Sequence, residues 1–394
     1  MFENIICQDQ IVASLTSDLA AGTLPSALLL WGPDFSGKLS VALELARVLS
    51  CEEEAVWGCG CKACAAQRLL THPHTILIGG RYFYEEACAC AEVLRKKDSP
   101  PARYLFVRAV RKLLRRFDAF LWEDREADLR KIAPAFAAAQ EAVDSLLPGE
   151  GLSAEKTAEL AASAREAVKK ICEAVNLDAI RIDLLRRASA WTHVGASGAQ
   201  KILIIENADR MREEARNSLL KILEEPPAHV RFILTTTRRA AILPTMLSRL
   251  RTYRFLPRGE EADRQVLAKI FREDYPMGSL RDFFRSSRGA SPAALSSRAR
   301  DFLTKAASRA EAFSAFLARD DSFFTDKTLF RIFLEELTRT LSSALYGEEK
   351  LPAVSLRKLE EWMALARRTR ESLDVLNIAP ALLAQRLYTV MGRP

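Results

Sequence analysis

The 394-residue chain has no apolar run approaching the ~18 residues of a membrane span. Its opening, MFENIICQDQIVASL, lacks a basic segment followed by an apolar one and a small-residue cleavage site. These absences argue against a membrane-spanning or secreted class and lead us to expect a cytoplasmic protein with no membrane partner. Neither sign of charge dominates: 58 Lys and Arg stand against 51 Asp and Glu, a net charge of +7. That mild excess permits contact with a polyanion without establishing it. Hydrophobic residues at 49% and charged ones at 28% exclude a disordered chain. The length suits two or three domains, enough for several cores.

Cysteine is sparse, eight in all, but four crowd between Cys51 and Cys64. In a long chain without a leader, that crowding favours a reducing compartment and a metal site over disulfides. Cys51, Cys59, Cys61 and Cys64 are separated by seven, one and two residues. Four thiolates suit tetrahedral zinc and leave no open position for water, so the expected role is structural. The alternative is a group of unligated surface thiols, a chemical liability at such density. His72 and His74 in THPHTILI could compete as ligands, but a full thiolate set leaves them turn and packing roles. Cys7, Cys88, Cys90 and Cys172 read as ordinary thiols.

Three segments read as buried parallel strands: SALLLWG, KILIIENADRM (Lys201 to Met211) and VRFILTTT (Val230 to Thr237). Between the last two, EEARNSLLKILEEPP has helical spacing and a stop at Pro226 and Pro227. Strands alternating with helices predict a parallel α/β sheet. Residues about 81 to 175 break the rhythm and read as a helical insertion containing a hairpin. Its first stripe is Phe106, Val110, Leu113, Leu114 and Phe117; after LPGEGLS, Ser153 is a candidate N-cap for a helix carrying Leu160, Val168, Ile171 and Val175. Beyond Pro257 the pattern is almost all helical. The expected division is an α/β P-loop domain over 1–256, a small helical domain over 257–300 and a helical C-terminal domain over 301–394.

The stretch WGPDFSGKLS places Gly32, Gly37 and Lys38 at the GxxxxGK spacing, between a strand and a helix. Backbone N–H groups of such a loop and the helix N-terminus attract phosphate, and the lysine reaches the outer oxygens. Magnesium needs a Ser or Thr hydroxyl at the next position, which is Leu39 here. Ser40 lies roughly 100° further round the helix and does not simply substitute. Asp34 adds a negative charge to the loop. The second strand ends in Glu206, which could still approach a metal, followed by Asn207, which cannot activate water as a carboxylate would. Together these departures favour a site that has lost hydrolysis, with nucleotide binding left open. From Arg95 to Arg116 there are nine Lys or Arg and one Asp. That helix could track a phosphate backbone or present a solvated face.

The order of these features resembles the clamp loader of the bacterial DNA polymerase III holoenzyme, within the AAA+ superfamily. MFENIICQDQIVASL is similar to its N-terminal box, with Cys7 in place of the glycine before Gln8. The four-cysteine module follows the P-loop helix, HPHTILI is similar to the HPD segment, and ADRMREEARNSLLKILEEPPAHVRFILTTT is close to the central signature. ILPTMLSRL resembles the LLPTI-SRC motif, with Leu250 replacing the cysteine. The likeness covers roughly residues 1–80 and 176–256 and leaves the insertion unexplained. It implies an AAA+ domain, a helical lid and a C-terminal oligomerisation collar. It also implies gamma/tau and delta-type partners in a hetero-oligomer, with the sliding clamp and primer-template DNA met through the complex.

By the same likeness, Arg249 is the arginine inserted into a neighbouring subunit's ATP site, where a guanidinium stabilises the transferring phosphoryl group. Its bland alternative is a surface arginine holding its own loop. A nucleotide-sensing arginine is expected in the lid. RGASPAAL puts Ala293 and Ala294 where it would fall, and GSLRD would nominate Arg281, so the role stays unassigned. The departures at Leu39 and Asn207 favour the delta-prime type over gamma/tau. Two alternatives stay open: an active ATPase whose metal is held by Ser40 and Glu206, and a zinc-stabilised nucleic-acid-binding protein.

Overall fold

The computed structural model describes residues 1–147, 151–177, 179–194, 200–273, 279–287, 292–308, 311–317, 322–347, 354–375 and 378–393. The chain forms two compact units, Met1–Phe284 and Arg285–Pro394. The first begins with α1 (Asp9–Ala20), β1 (Ala27–Trp31), α2 (Lys38–Ser50), α3 (Lys62–Arg68) and β2 (Thr75–Ile78). Four helices follow: α4 (Phe83–Lys96), α5 (Pro100–Leu114), α6 (Glu126–Ser145) and α7 (Ala154–Ala174). The α/β alternation then resumes with α8 (Ile182–His193), β3 (Lys201–Ile205), α9 (Glu213–Glu224), β4 (Val230–Thr236), α10 (Pro244–Leu247) and β5 (Arg251–Arg254). Next come α11 (Glu260–Val266) and α12 (Leu280–Ser286).

The five strands are all parallel, in the order β2-β3-β4-β1-β5. Their apolar runs are continuous because both faces are covered. Leu28, Leu30, Ile202, Ile204 and Ile233 face a core shared with α1 and α2. Alternate residues Leu29, Leu203, Ile205, Phe232 and Leu234 face the other core, as the two-residue strand period requires.

That second core contains the insertion. Phe106, Val110, Leu113, Leu114 and Phe117 all fall at or below 4% exposure and pack in one cluster with the sheet residues. Helices α6 and α7 form the expected hairpin, with Val168 and Ile171 fully buried and Ser153 Oγ accepting the Lys156 N–H at 3.2 Å. The insertion therefore covers one sheet face together with α8 and α9.

The sequence reading needs correction in two places. The strand expected over Lys201 to Met211 ends at Ile205, and a left-handed Asn207 then leads into a 3₁₀ turn at Ala208–Arg210. Two strands were not anticipated: β2 lies inside HPHTILI, and β5 (RTYR) buries only Tyr253, so no apolar run marks it. Residues 148–150 of LPGEGLS, Gly278 of GSLRD and residues 288–291 of RGASPAAL lie outside the described residues.

The second unit is helical: α13 (Pro292–Ser308), α14 (Phe313–Leu317), α15 (Ser322–Thr325), α16 (Lys327–Leu345), α17 (Leu356–Val375) and α18 (Pro380–Met391). Its core is aromatic, built on Phe302, Phe316, Phe324, Phe330 and Phe333. Among the described residues no helix is long and apolar enough to cross a membrane.

Because the insertion shares its core with the sheet, Phe106→Ala is expected to lower the stability of the whole first unit by about 3–5 kcal/mol. Urea unfolding followed by far-UV circular dichroism measures this. A loss confined to a separate, early transition would show the insertion to be an independent appendage.

Candidate functional site

The phosphate-loop stretch joins β1 to α2 at the C-terminal edge of the parallel sheet, where ligands of such folds bind. Gly37 precedes α2 with φ +93°, a backbone conformation that favours glycine, and a Cβ there would displace the tip of the Arg258 side chain, 2.9 Å away at Nη2. Lys38 is buried, and its ammonium donates to the Gly32 carbonyl at 2.8 Å and to the Pro33 carbonyl. Burial pushes this lysine down to about 8, although Asp34 and Glu206 work in the opposite direction. Leu39 is 7% exposed and packs into the core on the α1–α2 face. The position that would carry a magnesium hydroxyl is thus part of the hydrophobic interior. Ser40 is exposed on the first turn of α2.

Glu206 is buried at the end of β3, and each of its oxygens is taken by an arginine. Arg81 Nη1 donates to Oε1 at 3.2 Å and Arg116 Nη2 to Oε2 at 2.7 Å. Arg116, just past α5, also donates Nε to the Gly79 carbonyl at 2.8 Å. Burial pulls its guanidinium down to about 10, still charged at neutral pH. Gly79 has φ +101°, and a Cβ there would fall 2.1 Å from the Glu206 carbonyl oxygen, so β2 and β3 can meet this closely only at glycine. Asn207 donates Nδ2 to the Gly80 carbonyl at 2.8 Å. The sequence reading singled out Glu206 as a residual metal ligand and missed both of its partners. Arg116 sat inside the noted RKLLRR run, and Arg81 directly follows the glycine pair after β2.

Other arginines close on the loop. Arg258 donates to the Phe35 carbonyl at 2.6 Å and to that of Ile6 at 3.0 Å. Arg281 lies 3.8 Å from Asp34 and over the Phe35 ring. The Phe35 ring itself sits 4.7 Å from that of Tyr82 and 5.5 Å from that of Phe284.

Arg249 is exposed, two residues past the end of α10. It donates to the Thr245 carbonyl at 2.7 Å and to Glu224 Oε1, at the end of α9, at 2.9 Å.

The four expected metal ligands do converge. The Sγ atoms of Cys51, Cys59, Cys61 and Cys64 lie within 4.8 Å of one another, with Cys51 Sγ 3.6 Å from Cys59 and 3.9 Å from Cys61. A tetrahedral ion with metal–sulfur bonds of about 2.3 Å needs sulfurs about 3.8 Å apart, so the set fits a metal ion. Backbone N–H groups of Glu53 and Ala55 point at Cys51 Sγ, and that of Cys64 at Cys61 Sγ. Backbone N–H donation at Glu52 and Cys64 lowers the Cys61 thiol to about 7, towards the ligating form. His72 and His74 are outside the group; the His74 N–H donates to His72 Nδ1.

In the basic segment, Arg95, Lys96 and Lys97 are exposed around the end of α4. From Arg103 onward every cation is committed inside the chain. Arg103 pairs with Asp98 at 2.6 Å, Arg111 with Asp144 at 2.6 Å, Lys112 with Glu86, and Arg115 with Asp118 at 3.2 Å. Arg108 and Arg111 also donate to the carbonyls of Arg68 and Leu69 at the end of α3, where a helix favours cations. These residues dock the insertion and leave no stripe for phosphate.

The family described as DNA polymerase III, delta subunit matches the chain over residues 7–97 and 121–258. Over 98 residues the chain is 32% identical to the replication factor C subunit 3 of Blastobotrys adeninivorans, covering 25% of this chain and 28% of that protein. Over 74 residues it is 36% identical to the DNA polymerase III subunit gamma/tau of Mycobacterium tuberculosis, covering 19% and 13%. Over 67 residues it is 39% identical to the DNA polymerase III subunit delta' of Bacillus subtilis, covering 17% and 20%. The chain spans less than a third of the length of each of these relatives.

Removing one arginine from Glu206 leaves a buried, half-paired carboxylate. Arg116→Met is expected to destabilise the first unit by about 3–5 kcal/mol, and adding Glu206→Gln to recover most of that loss. A denaturation double-mutant cycle reads both, and additive effects would show that the pair is not coupled.

Proposed function

The chain belongs to the DNA polymerase III, delta subunit family of clamp-loader AAA+ proteins, and from that premise we propose that it is a delta-prime-like clamp-loader subunit. In this reading it supports ATP-driven loading of the sliding clamp in DNA replication, does not itself hydrolyse ATP, and lends Arg249 to a neighbouring ATPase subunit. Its partners are the gamma/tau and delta types, with the clamp and primer-template DNA reached through the assembly. The lid over 257–300 and the collar over 301–394 belong to the same proposal.

The observation that carries the silent-site reading is the state of Glu206. With Arg81 on one oxygen and Arg116 on the other, the carboxylate is charge-satisfied without a metal. Leu39 withdraws the second magnesium ligand into the core, and Asn207 offers an amide where water activation needs a carboxylate. Hydrolysis requires that metal on the outer phosphates. Gamma/tau subunits are expected to retain those groups.

Arg249 is supported as the donated group by its exposure and its weak tether. An exposed ion pair such as Arg249–Glu224 contributes about 0–1 kcal/mol. Letting go of Glu224 to meet a transferring phosphoryl anion therefore costs little. The guanidinium also donates Nη1 to the Thr245 carbonyl, a second exposed contact that it would exchange.

Zinc is the metal we assign to Cys51, Cys59, Cys61 and Cys64, as a structural ion that four sulfur ligands complete. It would fasten the end of α2 to the start of α3 and supply no chemistry to phosphate.

Three measurements test this. The purified chain should show no ATPase, and Leu39→Thr should not restore it because Glu206 stays paired; Lys38-dependent hydrolysis by the unaltered chain would displace the reading. In a reconstituted assembly, Arg249→Ala should reduce hydrolysis at the adjoining site by roughly 10³–10⁵, and unchanged turnover would remove the finger. Metal analysis should find one zinc per chain, lost in Cys59→Ser.

A further inference from the structure

Arg47 is 1% exposed, near the end of α2, and all three nitrogens of its side chain are engaged. Nε and Nη2 hold Glu44, with Nη2 2.7 Å from Oε1. Nη2 also donates to the Ala55 carbonyl at 2.9 Å, and Nη1 to the Val56 carbonyl at 3.3 Å. The remaining bond is unusual: Nη1 lies 3.0 Å from Cys64 Sγ. Glu44, besides holding Arg47, accepts the Phe2 N–H at 3.2 Å.

Four thiolates around a divalent ion carry a net charge of −2, and two of the four here, Cys59 and Cys64, are buried. Such a charge needs donors at the sulfurs. Cys51 and Cys61 receive backbone N–H groups; at Cys64 the donor is the Arg47 side chain. The same guanidinium grips the carbonyls of Ala55 and Val56, in the segment that turns the chain from Cys51 back to Cys59.

We propose that Arg47 is the positioning residue of the metal site. It fixes the Cys51–Cys59 turn, holds the Cys64 thiolate on the ion by charge-assisted hydrogen bonding, and ties the site through Glu44 to the first residues of the chain. A lysine cannot do this, because one ammonium cannot span Glu44, two carbonyls and a sulfur in the planar fork that arginine provides. This inference rests on the reading of the four cysteines as a metal site.

The test uses the full-length chain loaded with cobalt(II) as a spectroscopic probe and, separately, with zinc. Arg47→Met in a Glu44→Gln background removes both buried charges together. It should shift the thiolate-to-cobalt charge-transfer band to lower energy, because Cys64 loses its donor, and speed zinc transfer to a chelator by roughly 10- to 100-fold. Arg47→Lys with Glu44 intact keeps the ion pair and should still release zinc faster than the parent. A folded Arg47 variant of either kind with the parent's cobalt spectrum and release rate overturns the assignment. Failure of the unaltered chain to take up either metal would overturn the metal reading itself, a result distinct from any difference among variants.

Discussion

A buried carboxylate at the end of β3, with an arginine on each oxygen, is the constraint on which the first unit depends. Glu206 has lost its water, and a lone charge there would be strongly destabilising. In an ATPase of this architecture the compensating cation is a metal brought with the nucleotide, so the charge balance changes with each catalytic cycle. Here two side chains of the chain itself supply it. Arg81 arrives from the turn after β2 and Arg116 from the end of α5, so these two ion pairs join the insertion to the strand end. The same pairs thus serve two purposes: they dock the insertion and they satisfy the buried charge of Glu206.

The same device recurs. Arg47 and Glu44 form a buried pair beside the thiol cluster, Arg108 and Arg111 sit on the carbonyl end of α3, and Arg258 fills the space against Gly37. In each case a guanidinium meets several acceptors at once, which suits its planar set of five donors. Part of the chain's basic character is thus spent internally, a share that net charge does not separate because it counts a buried cap and a surface cation alike.

Much of the architecture was legible in the sequence because it rests on local patterns. The continuous apolar strands, the helix closed by Pro226 and Pro227, the Ser153 cap and the α5 stripe each carry their signal within a few residues. The four cysteines were legible because metal geometry imposes short spacings. What escaped depends on pairs distant in the chain. β5 is an edge strand with one buried residue, and β2 is four residues behind a histidine turn. The partners of Glu206 lie 125 and 90 residues away from it, a separation that composition and periodicity do not register. Cys7 shows a subtler case: it adopts φ 56°, the left-handed conformation natural to the glycine it replaces in the N-terminal box.

The glycines and lysine of the GxxxxGK loop have structural duties of their own. Gly37 is held by its left-handed backbone, φ +93°. Lys38 caps the carbonyls of Gly32 and Pro33, polar groups that would otherwise lose their partner where the loop meets the sheet. Phe35 packs in a three-ring cluster with Tyr82 from the insertion side and Phe284 of α12, which binds the loop to both. None of these contacts needs a phosphate. Leu39 packs into the core on the α1–α2 face, and Asn207 takes a left-handed turn that asparagine tolerates better than most residues. The loop's residues thus help to hold the first unit together whatever they bind.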